Sequence, residues 1–370
     1  MATFVGIAKK SKQREVGIEL LRIVAMLLII FHHFCYHGGF LSHITSQNKQ
    51  QLIAKLISNI FPISINLFVF ITGYFSLNNK GNVLKKTIVL WIQVFFYSLI
   101  IYLIFLSTKQ VKFDKLKLEQ IFYPVAYKEY WFFSAYFLLI LVSPFISAML
   151  NNITAKQHLY LVIGIVVVLY LISIKGMLGG ILEFTRGYSL TWFVCAYIIG
   201  AYIKRANIKL KWWGYILFIA VIACVIYLKK EEDFYRFGYA DVEIVFVSVL
   251  TFMLFKDIKI NCDSLNKFIT KIASATFGVY LIHDNNFIRS VLYSKIFKVQ
   301  EYYNSRFATF KILEFTLVVF IACAFIDLIR QGLFWSVITT IKIACAKISN
   351  LFKKIKKPNT IEKMGGGNRF

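Results

Sequence analysis

Stretches of apolar residues long enough to cross a lipid bilayer recur from one end of this chain to the other. Of its 370 residues, 58% are hydrophobic, and a mean hydropathy of +0.66 is too apolar for a soluble domain of this size. A membrane helix needs about 20 predominantly apolar residues. We count about ten such runs, at 16–37, 60–77, 87–106, 131–150, 157–174, 189–203, 212–228, 242–255, 272–288 and 313–340. The sequence therefore predicts an all-α fold: a polytopic integral membrane helical bundle with about ten transmembrane helices in a lipid bilayer.

The formal net charge of +25 has an explanation in membrane topology. Lys and Arg lie in short links between apolar runs and form no continuous basic face, so we expect no nucleic-acid partner. The basic residues concentrate in alternate links, which by the positive-inside rule puts both termini in the cytoplasm. We predict a basic cytoplasmic N-terminus at 1–15, a membrane domain at 16–340 and a basic cytoplasmic tail at 341–370. No sequence pattern specifies an oligomeric state.

The first apolar run carries one acid, one guanidinium and three imidazoles, namely Glu19, Arg22, His32, His33 and His37. A helix advances about 100° per residue, so Arg22 and His33, eleven positions apart, differ by only about 20° around the axis. Glu19 and His37 fall on or near the same stripe, whereas His32 is displaced from His33 by about 100°. We expect this polar stripe to face protein or water and not lipid.

The cost of placing charge in a membrane makes this stripe a candidate functional site. A charged residue near the centre of a membrane helix costs about 2.5–3.5 kcal/mol on insertion scales and usually marks a pathway or a site. A structural alternative is an ion pair between Glu19 and Arg22, at i and i+3, that snorkels to the cytoplasmic surface. His33 and His37 have the i, i+4 spacing of metal ligands. Because no Glu lies between them and the six cysteines form no CxxC pair, we expect no metal.

Four short motifs resemble those of membrane acyltransferase family 3. The stretch "REVGIELLRIVAMLLIIFHHF" resembles the family's first helix, with Arg14, Glu19, Arg22 and His33 at the positions of its pattern. The stretch "INLFVFITGYF" (65–75) is similar to an apolar run ending in Ser-Gly-Tyr, with Thr72 in place of the usual Ser. "YWFFSAYFLLILVSPFI" (130–146) is similar to the family's Trp-Phe-x-x-x-Tyr span, and "ATFGVYLIHDN" (275–285) to its Gly-x-Tyr-Leu-x-His element. The resemblance covers roughly residues 13–340.

The resemblance implies an enzyme of the bacterial cytoplasmic membrane. Members of the family transfer an acyl group, usually acetyl from cytoplasmic acetyl-CoA, to sugars of the cell surface. We therefore expect acetyl-CoA as co-substrate and a polysaccharide or lipid-linked sugar as acceptor. Succinyl is an alternative acyl group, and the acceptor sugar is not specified by any motif.

Acyl transfer to a hydroxyl needs a base for the alcohol proton and a group that stabilises charge on the thioester oxygen. His33 is the predicted base, since imidazole titrates near neutrality; a covalent acetyl-imidazole on His33 is the alternative, and His32 is the reserve candidate. We expect Arg22 and Arg14 to bind the phosphate or pantetheine of acetyl-CoA, with Glu19 completing the catalytic group by orienting Arg22. Eleven helical residues rise about 16 Å, about the reach of an extended pantetheine arm.

Further residues are predicted to bind the two substrates. Lys85 and Lys86 precede the third run and would bind the nucleotide phosphates of acetyl-CoA, although they could equally serve only to set the topology. The predicted acceptor-binding residues are Asn66, Thr72, Trp131, Tyr136 and His283. The aromatic members of this set could instead belong to an interfacial belt, and the histidine could simply cap its helix.

A transporter or flippase for a lipid-linked sugar or a small anion is the chief alternative, with the polar stripe of 16–37 lining its path. Such proteins often show inverted repeats and helices broken by Gly or Pro. This chain has four prolines and no visible internal repeat, which favours the enzyme. A membrane sensor or scaffold is a third interpretation. Only an acyltransferase would release free CoA from acetyl-CoA when an acceptor is present.

Overall fold

The computed structural model describes residues 15–41, 60–77, 82–175, 185–209, 213–214, 216–218, 220–221 and 238–355. These ranges contain helices and turns but no strand, which confirms the all-α prediction for the described residues. The helices are α1 (Val16–His37), α2 (Ile63–Tyr74), α3 (Val83–Ser107), α4 (Lys115–Phe122), α5 (Trp131–Asn152), α6 (Ala155–Lys175), α7 (Leu190–Ala206), α8 (Val242–Lys256), α9 (Asp263–Ala273), α10 (Thr276–His283), α11 (Asn286–Val291) and α12 (Ala308–Ile355). Short 3₁₀ turns at Thr185–Gly187 and Val299–Tyr302 and a π turn at Leu292–Ile296 complete the described elements.

Within the described residues, 4 helical segments are long and apolar enough to cross a membrane. They are α1, α3, α5 and the part of α12 from Ala308 to Val337. Helix α2 and the segment Ala155–Leu171 of α6 are apolar but shorter. The predicted span at 212–228 lies largely outside the described residues. A polytopic helical membrane protein is therefore supported, and the count of ten spans stays a prediction.

The predicted span at 272–288 is divided into shorter helices. Helix α9 ends at Ala273, whose carbonyl accepts a hydrogen bond of 2.9 Å from the Thr276 hydroxyl as α10 begins. Helix α10 ends at His283, because the side-chain oxygen of Asn285 accepts from the backbone N–H of Phe287 at 3.0 Å and starts α11. His283 thus lies at a helix terminus between two turns, where a ring can contact neighbouring helices.

Close packing brings other helices around α1. Helix α1 contacts α2, α8, α9 and α10, and α2 packs most extensively on α7. Glycines allow α2 and α7 to approach closely: a Cβ on Gly73 would overlap the carbonyl oxygen of Tyr197, and one on Gly200 would overlap that of Phe70. Small residues at such crossings are typical of membrane helix packing. Protein therefore surrounds α1 on several sides, as the polar stripe requires.

The chain divides into two compact units, residues 1–324 and 325–370, with the division inside α12. The candidate site described below belongs entirely to the first unit. In the second unit the described part is helical, and the carboxylate of Asp327 accepts from the side chains of Arg330 at 2.8 Å and Gln331 at 2.7 Å. Helix α12 continues to Ile355, so the first half of the predicted basic tail at 341–370 is helical. The cytoplasmic location of both termini stays a prediction.

Candidate active site

Helix α1 presents its polar stripe to one internal cavity of about 180 Å³. Arg22, Met26, Ile29 and His33 all line this cavity. Their spacing of i, i+4, i+7 and i+11 keeps them on one face of the helix over three turns. Arg22 and His33, which the sequence predicts to share a face, therefore open into the same space from two levels of the helix.

The rest of the cavity wall is largely aromatic. Its aromatic members are Phe61, Phe68, Trp131, Phe132, Tyr136, Tyr239, Phe277 and Tyr280, and its other members are Ile65, Leu90, Thr276 and Asp284. Two predicted acceptor residues, Trp131 and Tyr136, are in this set and are half-buried. The structure thus brings the predicted base, the predicted cofactor-binding arginine and two predicted acceptor residues around one cavity.

A hydrogen-bond chain sets the orientation of the His33 ring. Nδ1 of His283 lies 2.6 Å from the carbonyl oxygen of Val279, and a carbonyl only accepts, so this nitrogen carries the proton. In a neutral ring, Nε2 of His283 is then an acceptor, and it lies 3.1 Å from Nδ1 of His33. His33 therefore donates from Nδ1, which leaves the lone pair of its Nε2 available as a base or nucleophile.

A carboxylate and a guanidinium lie beside this histidine pair. Asp284 is 8% exposed, and its Oδ1 lies 3.5 Å from Nδ1 of His33 and 3.5 Å from Nη1 of Arg289. The same guanidinium nitrogen donates to Nε2 of His37 at 3.2 Å. If His33 gains a proton, Asp284 is close enough to interact with the resulting imidazolium.

The residues around His33 also include the candidate ligands for a metal ion, which the sequence predicts to be absent. Ligand atoms of His33, His37 and Asp284 lie within 4.8 Å of one another, which is compatible with a metal ion. However, the Arg289 guanidinium already places a positive charge beside two of these residues, and its hydrogen bond uses the lone pair of His37 Nε2. The arrangement favours an internal ion pair, and the absence of a metal stays a prediction.

The structure separates the two adjacent histidines of α1. His32 stacks on Phe61 with a centroid distance of 3.8 Å and an interplanar angle of 4°, and it is not among the residues that line the cavity. His33 lines the cavity and contacts His283. This placement favours His33 over His32 as the reacting histidine, as the displacement of about 100° between neighbours on a helix requires.

Arg22 and Glu19 form the other polar level of α1. Nε of Arg22 lies 3.6 Å from Oε2 of Glu19, and their side chains are 32% and 6% exposed. Nε of Arg22 is itself buried and has no hydrogen-bond partner among the described residues. An ion pair is therefore present, as the structural alternative requires, yet the guanidinium also lines the cavity. Arg14, the second predicted cofactor-binding arginine, lies outside the described residues.

The structure places Asn66 outside the wall of this cavity, and its role in acceptor binding stays a prediction. Asn66 is fully buried and donates to the carbonyl of Tyr239 at 2.8 Å and to the Ser248 hydroxyl at 3.2 Å. Its side-chain oxygen accepts from the indole N–H of Trp192 at 2.9 Å. These bonds use both hydrogens and the oxygen of the amide. Asn66 therefore positions the segment that carries Tyr239 into the cavity.

Thr72 and Lys86 line a second cavity of about 350 Å³, which also contains several serine side chains. The Thr72 hydroxyl lies 3.0 Å from the hydroxyl of Tyr136, which lines the first cavity, so this pair lies where the two cavities adjoin. Lys85 is exposed and lines neither cavity, and its backbone N–H donates to the Asn82 side chain at 2.9 Å. Both predicted phosphate-binding lysines are exposed, and of the two only Lys86 lines a cavity.

Several residues of this site were not predicted as site members. Asp284 contacts His33 and Arg289 contacts His37 across about 250 positions of sequence, so only packing reveals these contacts. Tyr280 precedes His283 by three residues in "GVYLIH", and this spacing places both on one face of α10. This helical spacing was the sequence signal that could have identified Tyr280 as a site residue. Tyr239 lies outside every motif, and no sequence signal identifies it.

Comparison with known proteins matches the chain to a family. Residues 15–331 match the model of a family described as an acyltransferase domain. No curated protein and no solved structure matches the chain. The family match covers most of the chain, including every described residue of the cavity. The chain therefore belongs to membrane acyltransferase family 3.

Proposed function

We propose that this membrane acyltransferase moves an acetyl group from cytoplasmic acetyl-CoA to a sugar hydroxyl of a surface polysaccharide or its lipid-linked precursor. One observation carries the proposal. A single cavity joins Arg22 to His33, and the unprotonated Nε2 of His33 is the atom left to react. A positive charge and a base about 16 Å apart along a helix fit a long thioester that carries phosphate groups at one end.

In the proposed reaction, Nε2 of His33 accepts the proton of the acceptor hydroxyl as its oxygen attacks the thioester carbonyl. The tetrahedral intermediate then expels the CoA thiolate, and the His33 imidazolium returns the proton to that sulfur. The products are an O-acetyl ester and CoA thiol, so atoms and charge balance. In the alternative route, Nε2 attacks the thioester itself and holds the acetyl group before the hydroxyl takes it. Both routes use the same nitrogen.

The neighbours of His33 support this role. Nε2 of His283 accepts a hydrogen bond from Nδ1 of His33 at 3.1 Å. This bond keeps the proton of His33 on Nδ1 and directs the lone pair of His33 Nε2 away from His283. Asp284, at 3.5 Å from the same Nδ1, stabilises the positive charge that His33 acquires during the reaction. This environment resembles the general arrangement in which a second group orients a histidine base and a carboxylate balances its charge.

Arg22 would bind the donor at the other level of the cavity. Its buried Nε lacks a hydrogen-bond partner among the described residues, and a guanidinium binds phosphate or amide oxygens well. Glu19, at 3.6 Å, orients the guanidinium. Lys86 would contact the nucleotide phosphates from the second cavity. These roles require this end of α1 to face the cytoplasm of a bacterial cell, in agreement with the positive-inside pattern.

The acetyl content of the surface carbohydrate tests this proposal. We would compare, by NMR, cells that carry the intact protein, a deletion, His33→Ala or the matched control His32→Ala. We expect one O-acetyl signal to disappear in the deletion and in His33→Ala and to persist in His32→Ala. If acetylation were equal in all four strains while carbohydrate export fell in the deletion, the transporter interpretation would replace the enzyme.

A further inference from the structure

Acyl transfer leaves one requirement that His33 does not meet: a donor for the thioester oxygen as it becomes negative. Three tyrosines line the cavity, Tyr136, Tyr239 and Tyr280. A phenol hydroxyl has one proton, so it can serve the thioester only if that proton is not already donated within the protein. The hydrogen bonds of the three hydroxyls therefore decide which of them could act.

Two of the three hydroxyl protons are already in use. The Thr72 hydroxyl donates its only proton to the carbonyl of Phe68 at 3.1 Å, so in the 3.0 Å contact between Thr72 and Tyr136 the tyrosine is the donor. The hydroxyl of Tyr239 donates to that of Tyr188 at 3.3 Å. Neither Tyr136 nor Tyr239 has a proton left for a substrate oxygen.

Tyr280 is different. It is 5% exposed, and the proton of its buried hydroxyl has no acceptor among the described residues. A buried donor without an acceptor is costly, by about 1–3 kcal/mol in proteins, and usually has a functional reason. Because Tyr280 lines the cavity, a substrate oxygen is the partner that would satisfy it.

The position of Tyr280 suits this role. Tyr280 precedes His283 by one helical turn on α10, and their ring centroids are 6.5 Å apart. His283 in turn contacts His33, with ring centroids 5.2 Å apart. Tyr280 and His33 therefore both lie near His283 and both line the cavity, so an acyl group bound there shares one space with a base and a hydroxyl donor.

The surroundings of this hydroxyl also favour negative charge. The backbone of Phe132, in the first turn of α5, faces the Tyr280 hydroxyl. The N–H groups of a first turn have no acceptor within their own helix, and the N-cap residue Tyr130 makes no side-chain capping bond. A helix N-terminus stabilises nearby negative charge. An oxyanion at the Tyr280 hydroxyl would therefore meet a second favourable interaction.

We propose that Tyr280 is a catalytic residue whose hydroxyl donates a hydrogen bond to the thioester carbonyl oxygen of the acyl donor. The inference rests on the proposed acyl transfer. As the acceptor oxygen bonds to the carbonyl carbon, the carbonyl π electrons move onto this oxygen, and the Tyr280 proton remains on the phenol while bonding to it. When the C–S bond breaks, the electrons return to restore the carbonyl, and the thiolate takes its proton from His33.

The test uses inverted membrane vesicles that contain the full-length protein and the natural carbohydrate acceptor. Transfer of [¹⁴C]acetyl from acetyl-CoA to carbohydrate is measured against acetyl-CoA concentration for the intact protein, Tyr280→Phe and Tyr293→Phe. Tyr293 is a matched control: it is 2% exposed, its hydroxyl also lacks a partner among the described residues, and it does not line the cavity.

We expect Tyr280→Phe to lower the maximal rate about 100- to 1,000-fold, the usual effect of removing one oxyanion donor, with the KM for acetyl-CoA changed less than about threefold. Tyr293→Phe should keep at least half of the rate. A 3-fluorotyrosine at position 280, which retains the hydroxyl, should restore transfer and thereby excludes a folding defect as the cause.

Three results would overturn the inference. The first is a Tyr280→Phe rate above half that of the intact protein. The second is a loss of equal size in Tyr293→Phe, which would indicate a general packing effect. The third is full activity in Tyr280→Phe together with a large loss in Trp131→Phe, which would make the Trp131 indole the donor. No transfer by the intact protein would instead refute the proposed function, and this inference with it.

Discussion

Replacement of His283 tests whether this residue positions the base, His33, or binds the acceptor. In the structure, the carbonyl of Val279 fixes the proton of His283 on Nδ1. Nε2 of His283 therefore accepts a hydrogen bond from Nδ1 of His33 at 3.1 Å. His283→Ala removes that acceptor, and the proton of His33 is no longer held on Nδ1. His283→Gln places a side-chain carbonyl oxygen at about the reach of the lost Nε2, and therefore preserves an acceptor for His33.

The magnitude follows from the contacts of His33. A buried donor that loses its partner costs about 1–3 kcal/mol, which corresponds to a decrease of roughly 5- to 150-fold in rate. Oδ1 of Asp284 lies 3.5 Å from the same nitrogen, and a shift of about 0.5 Å would give it normal hydrogen-bond length. We therefore expect the lower part of this range for His283→Ala alone and the upper part when Asp284→Asn is added, with non-additive effects.

The assay is [¹⁴C]acetyl transfer to carbohydrate in inverted membrane vesicles, with acetyl-CoA and the acceptor varied separately. A positioning role predicts a lower maximal rate in His283→Ala, an unchanged KM for the acceptor and recovery in His283→Gln. Acceptor binding by His283 predicts the opposite, a raised KM with the maximal rate retained. Activity within twofold of the intact protein in His283→Ala would refute the reasoning about the His33 ring.

Three further predictions follow. Arg22→Ala should weaken acetyl-CoA binding in nanodiscs roughly 10- to 100-fold, since charge-assisted hydrogen bonds contribute about 1.5–3 kcal/mol; calorimetry with Arg22→Lys as a charge-retaining control measures this, and an unchanged Kd would contradict the role. Gly73→Ala should destabilise the protein by about 1–3 kcal/mol, because its Cβ would overlap the Tyr197 carbonyl. Thermal aggregation in detergent tests this against Gly164→Ala, where a Cβ meets nothing within 4 Å, and equal melting temperatures would refute it. His32→Ala should keep most transfer activity, because its ring stacks on Phe61 outside the cavity wall; loss of transfer without loss of protein would return His32 to the mechanism.

Long helices of the fold could be predicted from sequence because a bilayer imposes a minimum apolar length. The predicted run at 16–37 coincides with α1, and that at 131–150 differs from α5 by two residues. Helices α4 and α9 were predicted as polar links, because a short amphipathic helix has no continuous apolar run. The break after His283 was also missed, since Asn285 ends one helix and caps the next within a stretch that remains apolar overall.

The candidate site was predictable only where it lies on one helix. Helical periodicity placed Arg22 and His33 on one face, and both line the cavity. The contact between His33 and His283 spans 250 positions, and its geometry depends on how α10 packs against α1. Asn66 shows the opposite case: a polar residue in a membrane helix predicts a site, yet its amide is consumed by Trp192, Tyr239 and Ser248.

The transfer of label from [¹⁴C]acetyl-CoA to carbohydrate tests most directly whether acyl transfer depends on His33. Inverted membrane vesicles with the intact protein, His33→Ala or His32→Ala would be assayed for CoA thiol release and for label in carbohydrate. We predict that the intact protein and His32→Ala each release one CoA thiol for every acetyl group that labels carbohydrate. His33→Ala, present at the same level in the membrane, should release no thiol and label no carbohydrate. Equal transfer by His33→Ala and the intact protein would contradict the account.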